Sequence, residues 1–257
     1  MIVRWGLRRI AKGLRGVAGY ALHGYPLRFD YGKKTLIDEA CSLLAPPPTS
    51  FADLGGVWRI EGAYAFYMLK QKGFQRGVLV DTNMTETVNR KQRANPRLVL
   101  IQGDFGSADV AAKIGHVDVI LLFDVLLHQV NPNWDEILEL YASHTRCFVI
   151  YNQQLVTGSS TIRLPDLGKG KYFEFVPMDK ESPGYKALFE RPNELHPVYG
   201  KPYRDVHNVW QWGITDADLL RVMQRLGFRA AVHRSFGMFS KFTHFENHGF
   251  VFARESS

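Results

Sequence analysis

From residue 50 onward, short apolar runs alternate with segments whose apolar positions recur every three or four residues. Ser50–Leu54, Gly77–Asp81, Leu98–Gln102, Val117–Phe123 and Cys147–Tyr151 are short, apolar and bounded by turn-forming or polar residues, which predicts five strands. Between them, Ile60–Lys72, Glu86–Ala94, Ala108–Ile114 and Trp134–Ala142 carry helical spacing, with Gly73 and Asn95-Pro96 as stop signals. Val117–Phe123 is nearly continuous in apolar residues, which predicts a strand covered on both faces. Thr215–Leu226 predicts a further helix, with Thr215 as N-cap, Asp216 and Asp218 in the first turn and Gly227 after its end. Arg229–His233 and Gly249–Ala253 predict two closing strands. Such alternation predicts an α/β protein with a parallel sheet and right-handed crossovers.

Two regions fall outside this rhythm. Residues 155–212 are rich in Pro, Gly, Tyr and Arg. They are too long for an ordinary connection and too aromatic for disorder, so they form an insertion after strand five, either a substrate lid or a small packed subdomain. Ala45-Pro46-Pro47-Pro48 reads as a rigid boundary, which divides an N-terminal helical segment, 1–45, from a main domain, 46–257.

Composition narrows the class. The chain has 257 residues, of which 46% are apolar or aromatic and 22% charged, an ordinary globular balance. No apolar run approaches the roughly 18 residues of a spanning helix. Cys41 and Cys147 are too few for a disulfide framework or a four-cysteine metal site, and a reducing, cytoplasmic setting is expected. The net charge of +7 is confined to residues 1–34, which hold eight basic residues against Asp30 alone; the other 24 basic and 24 acidic residues cancel. A neutral body argues against a nucleic-acid channel. On a helical wheel Val3, Leu7, Ile10, Leu14 and Val17 share one stripe, and Arg4, Arg8, Lys12 and Arg15 another. That pattern fits peripheral contact of residues 1–20 with an anionic inner membrane face. It equally fits a helix packed on the body with a solvated basic face, or an organelle-targeting peptide.

In open α/β sheets ligands bind beyond the carboxyl ends of the strands. Those ends carry Phe51-Ala52-Asp53-Leu54-Gly55-Gly56, Val80-Asp81, Gly103-Asp104-Phe105 and Phe123-Asp124-Val125-Leu126-Leu127-His128. This constellation resembles the class I S-adenosylmethionine-dependent methyltransferases over about residues 50–154, with Thr215–Ala253 as the expected closing elements. The resemblance implies a seven-stranded, mostly parallel, Rossmann-like sheet with helices on both faces and a last strand inserted antiparallel, and S-adenosylmethionine as cofactor. It implies cofactor contacts from Asp53, Gly55, Gly56, Asp81, Thr82, Asp104, Phe105 and Phe123. In that arrangement Asp53 receives the cofactor's amino group, and Gly55 and Gly56 admit its backbone. Asp81 accepts both ribose hydroxyls, Asp104 the adenine amine, and Phe105 packs on the ring. The family's later loop glycines are replaced here by Val57 and Arg59, which stand to crowd the methionine portion.

Three function classes follow. An S-adenosylmethionine-dependent methyltransferase is the first. A nicotinamide-binding protein is disfavoured, because Gly-x-Gly-x-x-Gly is absent after the first strand and Asp81 lies too far on. A methyltransferase-like binding scaffold without catalysis is the alternative. Asn131-Pro132-Asn133-Trp134 is similar to the Asn-Pro-Pro-aromatic motif of amino-methylating enzymes, but it comes too late after Asp124 and reads as a turn and N-cap. O-methylation therefore leads, with His128, Asp124 and His207 as catalytic candidates and His196 as a further base. Asp124 and Asn152 without a third ligand leave a metal unsupported. His196, Tyr199, Tyr203, Arg204 and Trp210 in the insertion suit a sugar ring or a planar metabolite, and the basic N-terminus suits a lipid-linked saccharide.

Overall fold

A computed structural model describes residues 29–239 and 242–254. Its first half runs α1 (Tyr31–Leu43), β1 (Ser50–Leu54), α2 (Ala63–Gln71), β2 (Arg76–Asp81), α3 (Glu86–Arg93), β3 (Leu98–Gln102), α4 (Ala108–Ile114) and β4 (Val117–Phe123). Its second half runs α5 (Trp134–Ala142), β5 (Thr145–Leu155), β6 (Ile162–Arg163), α6 (Gly168–Phe175), α7 (Pro183–Glu190), β7 (Trp212–Gly213), α8 (Asp216–Arg225), β8 (Phe228–Phe239) and β9 (Phe242–Arg254). Strands β1 to β5 are parallel, and the sheet order is β3-β2-β1-β4-β5-β9-β8, with β9 antiparallel to both neighbours. This is the parallel α/β sheet that the alternation predicts, with the seven strands and antiparallel last strand that the resemblance implies. The order reverses between β1 and β4, so a cleft opens at their carboxyl ends.

Alternation along the strands splits the core into two layers. Phe51, Val119 and Val149 face α1 and α2, whereas Ala52, Ile120, Phe148 and Phe250 face α4, α5 and α8. Asp118 fastens the opposite rim. Its Oδ2 accepts from the Thr49 and Ser50 N–H groups at 2.7 and 3.0 Å, and its Oδ1 from Arg146 Nε at 2.9 Å.

Several bounds differ from the sequence reading, each for a local reason. Helix α2 starts at Ala63 rather than Ile60, because Arg59, Glu61 and Gly62 have φ of 61°, 53° and 68°, outside the helical region. Strand β5 runs on to Leu155 because β9 pairs with it that far, Leu155 opposite Phe245. Strands β8 and β9 extend well past their predicted ends, and Phe242 and Phe245 leave the main core for the insertion. Asn133 is the N-cap of α5, its N–H donating to Glu136 Oε2 at 2.6 Å, which is the capping role expected of the Asn131–Trp134 segment.

The insertion is a packed subdomain. Leu164, Tyr172, Val176, Leu188, Val209 and Trp210 form their own cluster with Leu127 and Phe245. At the other end, Phe29, Leu36, Ile37 and Ala40 share a cluster with Phe51 and Val119, so the 45/46 boundary falls inside one continuous core. Residues 1–28, including the amphipathic stripe of 1–20, lie outside the described residues. Among the described residues, no helix is long and apolar enough to cross a membrane.

Candidate active site

Asp53 sits next to the end of β1 with 1% of its surface exposed. Its Oδ2 has no hydrogen-bond partner. Burial, and then the negative charge of Asp81, push its carboxyl pKa up to about 7 against the pull of Lys33 and the Ala65 N–H. Gly56 is fixed by this neighbour: a Cβ there would lie 2.5 Å from Asp53 Cγ. Gly55 has φ of 78°, and a Cβ on it would lie 2.8 Å from Val125 Cγ1 and 3.5 Å from Phe105 Cε1. Backbone therefore faces Phe105 across the cleft.

Asp81, at the end of β2, accepts from Val57 N–H at 3.0 Å through Oδ2 and from Asn83 N–H at 3.1 Å through Oδ1. Each oxygen keeps a further acceptor position. The Val57 side chain is buried in the α2 layer, and the Arg59 guanidinium lies 4.2 Å from the Trp58 ring centroid. Thr82 is exposed. Asp104, past β3, accepts from Gly106 N–H at 2.8 Å. Its other oxygen is 3.3 Å from Lys201 Nζ, which also donates to the Asn131 carbonyl at 3.2 Å. Lys201 is carried by a turn of the insertion closed by the Leu195–Pro202 bridge.

On the far side of the cleft Asp124 follows β4 with φ of 57°. Its Oδ2 pairs with Lys33 of α1, and its Oδ1 accepts from Gln153 Nε2 at 2.7 Å. The Lys33 ammonium lies 4.9, 5.7 and 5.9 Å from the ring centroids of Tyr151, Phe123 and Tyr64. Four residues after Asp124, His128 closes a single 3₁₀ turn, Leu126–His128. Its Nδ1 is 2.7 Å from the Val209 carbonyl, which can only accept, so Nδ1 carries the proton and Nε2 is the basic nitrogen. Burial holds the His128 pKa below the usual histidine value, against the raising effects of Val209 and Asp124. His207 is also lowered by burial, with Asp104 and Asp81 raising it and Lys201 and His196 lowering it further. Its ring centroid lies 4.8 Å from that of Tyr199.

No protein-family model matches the chain, and no curated protein matches it in sequence. Its shape does match solved structures. The N-terminal domain of EvdMO1, crystallised in the presence of SAH and D-fucose, superposes with a TM-score of 0.54 at 13% identity over 96% of this chain and 97% of that one. The 1,6-didemethyltoxoflavin-N1-methyltransferase of Burkholderia thailandensis gives 0.50 at 15% identity over 97% and 90%. An O-methyltransferase family protein from the same organism gives 0.48 at 15% identity, and this chain spans 56% of its length. This protein has the class I methyltransferase fold.

Within that methyltransferase fold, the strand ends bring together Asp53, Gly55, Gly56, Asp81, Asp104 and Phe105 on one side and Phe123, Asp124 and His128 on the other. Asn152 and Asp124 do not converge. Gln153 reaches Asp124, so Asn152, one residue earlier on β5, projects to the opposite face, where it pairs with His248. Two contributors escaped sequence reasoning: Lys33 and Lys201. The single local signal for Lys33 is Asp30, the N-cap whose carboxylate accepts from Gly32 N–H at 2.6 Å and so sets Lys33 in the first turn of α1.

Proposed function

We propose that this protein transfers a methyl group from S-adenosylmethionine to a hydroxyl of a small polar acceptor. The observation that carries the reading is Asp53, a carboxylate closed off from water, with an unpartnered oxygen and a glycine pressed against it. A buried acid in that state calls for a cation, and the cofactor's ammonium is one. The neighbouring groups fit the remainder. Asp81 has two oxygens free to accept ribose hydroxyls, Asp104 an oxygen for the adenine amine, and Phe105 a ring beside Gly55. The bound cofactor supplies an electrophilic methyl on a sulfonium. Tyr151, Phe123 and Tyr64, already gathered around the Lys33 ammonium, suit a positive charge nearby.

His128 is the general base in this reading. Burial favours its neutral form, Val209 holds its tautomer, and Nε2 is the nitrogen that would accept the proton the acceptor's hydroxyl gives up. Asp124 has both oxygens engaged, so it holds Lys33 and Gln153 in place. His207, also lowered by burial, is a second candidate base. For the acceptor, the aromatic and cationic residues of the insertion favour a saccharide, and the fold neighbour crystallised with D-fucose present is a precedent for that class. If the saccharide is lipid-linked, removing residues 1–28 abolishes binding to anionic vesicles; unchanged binding overturns the membrane part.

Lys201 on Asp104 and Lys33 on Asp124 favour a second reading, a binding scaffold with no turnover. Calorimetric titration with S-adenosylmethionine and S-adenosylhomocysteine, wild type beside Asp81→Ala, separates the two. Micromolar binding that the substitution removes supports the enzyme. A folded wild type that binds neither compound supports the scaffold.

A further inference from the structure

Outside the cleft, on the opposite face of β5 and β9, a second group of chemistry-bearing side chains converges. Asp216 stands at the start of α8, His233 on β8 and His248 on β9, and one ligand atom from each lies within 4.8 Å of the others. His233 Nε2 and His248 Nδ1 are both 2.7 Å from Asp216 Oδ2. His248 turns its other nitrogen, Nε2, toward Glu246 Oε2 at 3.3 Å, and Glu246 in turn accepts from Ser235 Oγ at 2.7 Å. The register places Asn152 opposite His248, and the Asn152 Oδ1, buried, has no hydrogen-bond partner.

We propose that Asp216, His233 and His248 form a binding site for a divalent transition-metal ion of the zinc class. Two imidazoles and a carboxylate are the donor set that such ions take in preference to magnesium or calcium, which favour oxygen alone. The outer shell is already built: a metal-bound histidine characteristically donates its remaining N–H to a carboxylate, and Glu246 occupies that place on His248. The cluster is graded in exposure. The His248 side chain is 10% exposed, Asp216 25% and His233 39%, which leaves a solvent-facing position for a fourth ligand. Its three ligands come from three elements, α8, β8 and β9, so a bound ion clamps the last helix to the closing hairpin. That role is independent of the methyl-transfer reading.

The test uses tag-free full-length protein freed of metal with a chelator, then titrated with Zn²⁺ by calorimetry and with Co²⁺ by visible absorption. The expected result is one Zn²⁺ per chain, visible bands of a four- or five-coordinate Co²⁺ site, no binding of Mg²⁺ at the same concentration, and a higher melting temperature with Zn²⁺. His233→Gln and His248→Gln each abolish uptake, and Glu246→Gln weakens it about 10- to 100-fold. Circular dichroism checks that the variants fold; if a variant does not, the wild-type titration still decides. A folded wild type that takes up no Zn²⁺, or uptake that survives in either histidine variant, overturns the proposal.

Discussion

A carboxylate enclosed in protein with one oxygen unpaired is costly until something positive reaches it, and Asp53 is such a group. Its native pKa near 7 stands above the value of about 4 expected for the unfolded chain. The native state therefore binds the extra proton between those values, and the stability of the free protein declines as pH rises from about 4 to about 7. Binding of an ammonium reverses the preference, because it favours the ionised acid. Affinity for S-adenosylhomocysteine is expected to climb from pH 5 to 7, by up to about tenfold per unit, and then level off. Asp53→Asn should flatten that profile and weaken binding, while making the free protein more stable at pH 8; calorimetry and thermal melts at several pH values check both. Gly56→Ala is expected to abolish cofactor binding and to cost about 1–3 kcal/mol, since the new methyl group displaces the Asp53 side chain. If the cofactor binds Gly56→Ala as it binds wild type, the placement of the cleft against Asp53 is wrong.

Between elements, two contacts govern access to the cleft. The Lys201–Asp104 pair joins the insertion to the end of β3 with both side chains substantially exposed, so it is worth less than about 1 kcal/mol. A ligand that needs Asp104 can displace it. Lys201→Ala should tighten cofactor binding by no more than about fivefold, and a clear loss of affinity would instead make Lys201 part of the binding surface. The α1–β9 contact is of the other kind, steric and tight. A Cβ on Gly249 would lie 2.5 Å from Leu36 Cδ1 and 2.7 Å from Phe236 Cε2. Gly249→Ala is expected to lower the melting temperature and to disturb the Lys33–Asp124 pair, because α1 carries Lys33. The rim held by Asp118 shows the same dependence on distant segments. Burial alone would raise the Asp118 pKa, but the Thr49 and Ser50 N–H groups and Arg146 bring it below the usual carboxylate value, so its contribution is present above the unfolded-state pKa near 4 and lost in acid.

For the molecule as a whole, one core spans what reads in sequence as a segment and a domain. Phe29, Leu36 and Ile37 are at most 1% exposed and belong to the layer built on β1, β4 and β5. A chain beginning at Pro46 would leave that layer open to water. It is expected to lose the cooperative thermal transition, measured by circular dichroism, whereas a chain beginning at Phe29 should keep it. The insertion, in contrast, has its own apolar cluster, which takes in Leu127 beside the cleft, and it adds polar contacts there, among them His128 to the Val209 carbonyl, Trp212 Nε1 to the Gln129 carbonyl at 2.7 Å, and Lys201 to Asp104.

Periodicity was enough to predict the strands and helices, and the places where apolar runs stop were enough to put Asp53, Asp81, Asp104 and Asp124 at the strand ends. Those features are local: a period of two or of three to four residues, and a polar residue where an apolar run stops, are written in neighbouring positions. The Asp53–Gly56 pairing is local too, four residues in one turn. What sequence spacing does not encode is which remote side chain meets which. Lys33 reaches Asp124 across 91 residues and Lys201 reaches Asp104 across 97, and Asp216 gathers His233 and His248 from two strands. The left-handed backbone before Ala63 delays α2, and the strand pairing of β9 lengthens β5. Each of these depends on chain segments brought together by burial of the common core, a long-range event that is decided only when the sheet has formed.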